Sequence, residues 1–236
     1  MTNTKIALVT GANKGIGKEI ARQLAGLGMT VLLGARDTER GEKAAAELRA
    51  DGTDVRFLRL DVTDDASVAA AAGAIDSTYG RLDVLVNNAG ILIDRGTRPS
   101  EVPAETVRDT YETNVFGVVR TTHALLPLLR RAEAARIVNV SSALASLGGR
   151  DWGRWLLAYN SSKTALNALT VQYARELHPD GILVNAADPG YCATDLNDHT
   201  GTDSPTDGAR IAVHLATLPA GGPTGTFTNS AGTVPW

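Results

Sequence analysis

Ile6-Ala7-Leu8-Val9-Thr10-Gly11-Ala12-Asn13-Lys14-Gly15-Ile16-Gly17 is the stretch on which the fold class turns. An apolar run of strand length ends in a glycine-rich turn, and apolar residues at helical spacing follow from Ile16 to Leu27. Glycines at such a junction let the chain turn sharply and let its backbone approach a pyrophosphate without Cβ contacts. The helix behind them offers unpaired N–H groups and the positive end of its dipole to an anion. A Walker loop would need glycine at position 12 and Ser or Thr at position 19, where Ala12 and Glu19 stand. The turn reads as a dinucleotide site.

The same alternation continues outward. Short apolar runs at Thr30–Leu33, Val55–Leu60, Leu82–Val86, Ile137–Val140 and Ile182–Ala186 predict strands. Between them, helical spacing covers Glu39–Ala50, Ala66–Tyr79 and long stretches around 105–131 and 160–177. Strands that are apolar throughout are buried on both faces, so the expected architecture is an α/β, doubly wound parallel sheet of Rossmann type, flanked by helices on both faces. The 236 residues suit one domain, 1–236, that needs no staple. Within it, Tyr191–Asp207 is rich in Thr, Asp and Gly and reads as a mobile substrate-side segment.

Composition narrows the function. A net charge of −3 gives no electrostatic footprint for nucleic acid or anionic membrane. A single cysteine, Cys192, excludes an internal disulfide, and the four scattered histidines give no metal-ligand spacing, so no metal is assigned. No apolar run reaches membrane length, and Met1–Thr4 leave no room for a leader before the first strand, so a cytoplasmic protein is expected.

Arg36 and Asp37 close the second strand, where a dinucleotide's ribose is read. A carboxylate there holds a 2′-OH, whereas Arg36 can clamp a 2′-phosphate, with Lys14 on the same side. The pair favours NADPH over NAD, with Asp37 as the awkward residue.

Tyr159 and Lys163 are four apart at the start of a helix and share one face. An ammonium near the phenol is expected to lower its pKa and make Tyr159 a general acid toward a carbonyl oxygen. Ser142 follows the strand Ile137–Val140, at the carboxyl end where such folds assemble their sites, with Ser141 beside it as the rival. Asn114 sits inside a helical stretch, either facing solvent or marking a local opening that holds a water near Lys163.

Thr10 to Gly17, Asn87 to Gly90, Asn114, Ser142, Tyr159, Lys163 and Pro189-Gly190 with Thr194 stand in the order of the short-chain dehydrogenase/reductase family, which the chain resembles from Lys5 to about Pro235. The Asn13-Lys14-Gly15 turn and Ala35-Arg36-Asp37 resemble its NADPH-dependent carbonyl reductases. The resemblance implies that Tyr159 donates the proton, Ser142 polarises the carbonyl, Lys163 also binds the nicotinamide ribose, and Asn114 anchors a relay water. It places Gly11, Asn13, Lys14, Gly15, Ile16 and Gly17 on the pyrophosphate. Asp61 and Val62 fall near adenine, Asn88, Ala89 and Gly90 along the adenosine ribose, and Pro189, Gly190 and Thr194 at the nicotinamide. Asp188 departs from the uncharged residue usual before that proline. Family members commonly pair through the helices that here span 105–131 and 160–177, so a homodimer or homotetramer is compatible, as is a monomer.

An apolar substrate wall is sought in Leu147, Trp152, Trp155, Tyr191, Cys192 and Leu196, although the two tryptophans could equally cap the core or a subunit contact. The expected function is reduction of a ketone or aldehyde by NADPH. Alcohol oxidation by the same residues and a non-catalytic dinucleotide sensor are the alternatives.

Overall fold

The computed structural model describes residues 4–149 and 155–236. Its sheet grows outward from β1 (Ile6–Thr10), which pairs in parallel with β2 (Thr30–Ala35) on one side and β4 (Val84–Asn87) on the other. Beyond β2 lies β3 (Val55–Arg59), and beyond β4 come β5 (Arg136–Val140), β6 (Leu183–Ala187) and β7 (Phe227–Asn229), all parallel. A short β8 (Gly232–Thr233) adds an antiparallel edge. Strand order therefore reverses between β1 and β4, and the crevice beyond their carboxyl ends is where such a sheet binds ligands.

Every residue of β1, β2, β5 and β6 is buried because helices cover both faces. Side chains alternate between two cores. Ala7 and Val9 join a core containing Ile20 and Leu24 of α1 (Gly15–Gly26), Leu48 of α2 (Thr38–Ala50) and Leu215 of α7 (Pro205–Ala216). Ile6 and Leu8 face the other way. Their core holds Ile75 of α3 (Asp65–Tyr79), Leu125 of α5 (Gly117–Leu129) and Leu177 of α6 (Leu157–Leu177). The continuous apolar runs of the sequence thus stand for burial on both sides, as a doubly wound sheet requires.

The predicted helix over 105–131 is divided. It comprises α4 (Ala104–Tyr111), a π-helical segment Glu112–Phe116, and α5. The π segment contains Asn114. The segment expected to be mobile carries a bridge between Cys192 and Asp203, a 3-10 turn at Asp195–Asn197, and the first turn of α7, which starts at Pro205 behind a Ser204 cap. Helix α7 and strands β7 and β8 are additions to the expected elements. Among the described residues no helix is long and apolar enough to cross a membrane.

Candidate active site

A cavity of about 400 Å³ opens at the carboxyl ends of the strands. The glycine turn forms its floor, with Gly11, Asn13, Lys14, Gly15, Ile16 and Gly17 all facing it. Gly11 and Gly15 adopt φ of +63° and +57°, and a Cβ on Gly11 would stand 2.8 Å from the Ala89 Cα. A Cβ on Gly17 would collide with the Asn88 side chain. Close approach of β1's turn to Asn88-Ala89 is therefore possible only without side chains at these positions. Asn88 reinforces it by donating from Nδ2 to Thr10 O at 2.9 Å, while Thr10 Oγ1 accepts from the Asn88 and Ala89 amides at 3.0 Å each.

Helix α1 begins behind Lys14 with no side-chain cap, whereas Asp37, Asp64 and Ser204 cap α2, α3 and α7. Its first N–H groups are left toward the cavity. The uncapped helix end, the side-chain-free floor and a cavity that runs from Arg36 and Asp61 past the glycine turn to Thr194 fit a dinucleotide.

Arg36, Asp61 and Val62 wall the cavity beyond β2 and β3. Burial alone would raise the Asp61 carboxyl. Hydrogen bonds from Thr63 and the nearby Arg36 and Arg59 outweigh it and hold the pKa below the usual value. Arg59, at the end of β3, is a second cation on this side that the sequence reading did not single out. Asp37, by contrast, is spent on the fold: its Oδ1 accepts from Arg40 N at 3.0 Å as the cap of α2. Lys14 reaches across the cavity to Asp195 Oδ2 at 2.6 Å, and His199 Nε2 lies 2.8 Å from the same carboxylate's Oδ1.

At the β5 side, the Ser142 hydroxyl stands near enough to the Tyr159 phenol to favour its ionised form, while Ser142 Oγ accepts from Leu144 N at 3.3 Å. Ser141 is excluded from this role because its hydroxyl, buried, donates to Asn167 Oδ1 at 2.6 Å. Lys163 Nζ donates to Val140 O at 2.8 Å and lies 5.7 Å from the centre of the Tyr159 ring. Gly90 lets the chain pass both groups: a Cβ there would lie 3.4 Å from Asn114 Oδ1 and 3.5 Å from Lys163 Nζ.

The expected lowering of the tyrosine pKa is corrected. Burial pushes the Tyr159 phenol up to about 12, aided by the nearby Asp188 carboxylate and only partly opposed by the Ser142 hydroxyl. Burial likewise pushes Lys163 down to about 8. Desolvation of two ionisable groups in one dry site exceeds the benefit of their proximity.

Asn114 is buried in the π segment, and the solvent-facing alternative falls away. Its side chain accepts from Ile91 N at 2.8 Å and donates to Ile91 O at 3.0 Å and Ser162 Oγ at 3.0 Å. A π turn is how a helix admits such a residue, and π turns recur at functional sites.

On the substrate side, Thr194 and Leu196 line the cavity, together with Ile93 and Asp195, which the sequence reading missed. Pro189 and Gly190, expected at the nicotinamide, are not among the residues lining the cavity. Gly190 has φ of +79°, and its amide donates to Asp188 Oδ1 at 3.2 Å. The other Asp188 oxygen accepts from Asn229 Nδ2 at 3.3 Å, so the departure at this position is absorbed by β7.

The expected apolar wall is only partly assembled. Leu147 is 83% exposed and Trp155 59%, the latter under the Arg98 guanidinium at 5.9 Å. Tyr191 is half-buried, with its hydroxyl bonded to Thr200. Cys192 is withdrawn from the wall: it is buried, its Sγ donates to Pro189 O at 3.2 Å, and burial pushes the thiol up to about 11. Small, soft sulfur suits the tight space over Gly208. Trp152 lies outside the described residues. Among the described residues no group of side chains is placed to hold a metal ion.

The short chain dehydrogenase family model matches residues 5–205. Short-chain dehydrogenase/reductase 1 of Saponaria officinalis is 36% identical over 96% of this chain and 94% of its own. Carbonyl reductase [NADPH] 1 of Sus scrofa is 36% identical over 100% of this chain and 95% of its own. The crystal structure of NADPH-bound carbonyl reductase from chicken fatty liver superposes with a TM-score of 0.88 at 28% identity, covering 99% of this chain and 100% of that one.

Proposed function

The chain belongs to the short-chain dehydrogenase/reductase family, and from that premise we propose that it is an NADPH-dependent carbonyl reductase with Tyr159 as proton donor. The observation that carries the reading is the clustering of Ser142, Tyr159 and Lys163: Ser142 acts on the Tyr159 phenol, Lys163 Nζ is 5.7 Å from its ring, and a Cβ on the cavity-lining Gly90 would lie 3.5 Å from that same Nζ.

Gly11 to Gly17 and the α1 amides would hold the pyrophosphate, and Arg36 with Arg59 would face the 2′-phosphate. Asp37 caps α2 through Oδ1, pairs with Arg40 through Oδ2 and is not among the residues lining the cavity, whereas Arg36 is, which supports NADPH over NAD. Asn88 to Gly90, Lys163, Pro189, Gly190 and Thr194 would follow the rest of the dinucleotide. When bound, the cofactor supplies the hydride.

Ser142 and Tyr159 present two hydroxyls to one carbonyl oxygen. A phenol held near 12 is fully protonated at neutral pH, so it can donate to that oxygen as negative charge builds there. Lys163 and Asn114 keep the floor of the site in place through Val140 O and Ile91. Ile93 and Leu196 would border the substrate, with Leu147 and Trp155 on the segments flanking Ser142 and Tyr159.

Tyr159→Phe tests the assignment. NADPH binding, followed by its fluorescence, should persist, and turnover of an aromatic-aldehyde and cyclic-ketone panel should fall about 10²–10⁴-fold. Undiminished turnover would overturn it.

A further inference from the structure

The segment after β4 makes three long-range attachments. Asn114 binds both the N–H and C=O of Ile91. Asp94, 1% exposed, accepts from Ala158 N through Oδ2 at 2.7 Å. Arg95 binds Leu196 O and Asp198 Oδ2, each at 2.7 Å.

The middle attachment is the unusual one. Helix α6 starts behind Leu156, whose side chain makes no cap, so its first amides need an acceptor from elsewhere. Asp94, 64 residues away in sequence, provides it. The other Asp94 oxygen, Oδ1, is buried without a partner. A carboxyl kept in so dry a place with one oxygen unanswered carries a desolvation cost, and among the described residues its side-chain hydrogen bond falls on the residue directly before Tyr159.

Resting on the carbonyl-reductase reading, we propose that Asp94 is a positioning residue: it caps the catalytic helix across space at Ala158 and thereby fixes where the Tyr159 hydroxyl meets the substrate oxygen. Proton delivery depends on sub-ångström placement, and a first turn without its cap frays. Asp94 is buried and does not line the cavity, so its removal is expected to be felt in turnover and not in binding.

Three substitutions in the full chain separate position from charge. Asp94→Asn keeps an oxygen acceptor for the Ala158 amide and deletes the charge; Asp94→Glu keeps the charge and displaces the acceptor; Asp94→Ala removes both. With the aromatic-aldehyde and cyclic-ketone panel, the Ala variant should lose about tenfold in kcat with KM and NADPH Kd within about twofold. The Ala158 amide should exchange hydrogen at least about tenfold faster, a readout independent of turnover. Asn should restore most of both, and Glu should not. Parental kcat in the Ala variant, or Glu outperforming Asn, would overturn the proposal; should the Ala variant not fold, the Asn–Glu order decides. Tyr159→Phe run alongside keeps the two claims apart. If it abolishes turnover while the Asp94 series is silent, only the positioning role fails. If it leaves turnover intact, the reductase reading fails, and Ala158 exchange still reports the cap.

Discussion

Around the glycine turn, the cavity is shaped by backbone. Gly11 must approach Ala89, Gly17 must clear Asn88, and α1 must present bare amides. At the opposite end, side chains meet across long stretches of chain: Lys14 with Asp195, Arg95 with Asp198, and Asp94 with the Ala158 amide. The first region is a rigid mould set by residue size. The second is a set of ties between loops, and Asp198 and His199 even adopt φ of 52° and 56°, a conformation few non-glycine residues take without compensation. Anion binding asks only for backbone donors on a fixed scaffold, whereas substrate selection asks for adjustable loops.

Three measurements can break or sharpen that contrast. The largest effect concerns the dry junction between the two regions. Lys163 is held at about 8 while the unfolded chain keeps its ordinary 10.5, so the unfolded state binds more protons between those values. The Lys163 contribution should therefore rise with pH from about 8 to 10.5, by roughly 3 kcal/mol, as the penalty for burying a cation is relieved. Cys192, whose buried thiol keeps its proton to about 11 against 9 in the unfolded chain, opposes it above pH 9. Tyr159 also has the opposite sign to Lys163: the folded state keeps its proton up to about 12, so stability falls as pH climbs beyond 10. Urea unfolding of Lys163→Met across this range should lose the rise and keep the fall. An unchanged rise would assign it to another group.

Next in size is Arg36→Ala. A mould that works independently of the loops predicts weaker NADPH binding by about ten- to a hundredfold, little change for NADH, and unchanged kcat at saturation. Titration with both cofactors checks this, and a fall in saturated kcat would show that the two ends are coupled.

The smallest effect is Asp37→Ala. As the cap of α2, Asp37 should cost about 1 kcal/mol in stability, read as a lower thermal midpoint, with cofactor preference unchanged. A gain in NADPH preference without loss of stability would return Asp37 to the ribose.

Legibility follows the same divide. The strands from Ile6 to Ala187 and the turn Thr10–Gly17 are set by local pattern, and apolar runs and glycines have the same meaning wherever the chain goes. Ser142, Tyr159 and Lys163 were recognisable as types in order, and helical geometry puts the last two on one face. Their protonation was not recognisable, because a pKa depends on burial, and burial is a property of the packed molecule. Asn114 could not be resolved from helix propensity, since the π segment forms only where Ile91 and Ser162 are brought to its side chain. Cys192 read as a substrate contact because its neighbours in sequence are near the cavity, yet its side chain turns toward Pro189 and Gly208.

By itself, then, the sequence determined a doubly wound sheet, a dinucleotide turn at its centre, and the three residue types proposed to carry proton transfer. Backbone sterics and hydrophobic periodicity act over a few residues, and they suffice for that much. Only the tertiary structure decided that Asp37 serves a helix, that Lys14 reaches Asp195, and that Asp94 stands behind Tyr159. Those outcomes are choices among partners, and a polar side chain has no defined partner until the sheet and its helices have brought distant segments into contact.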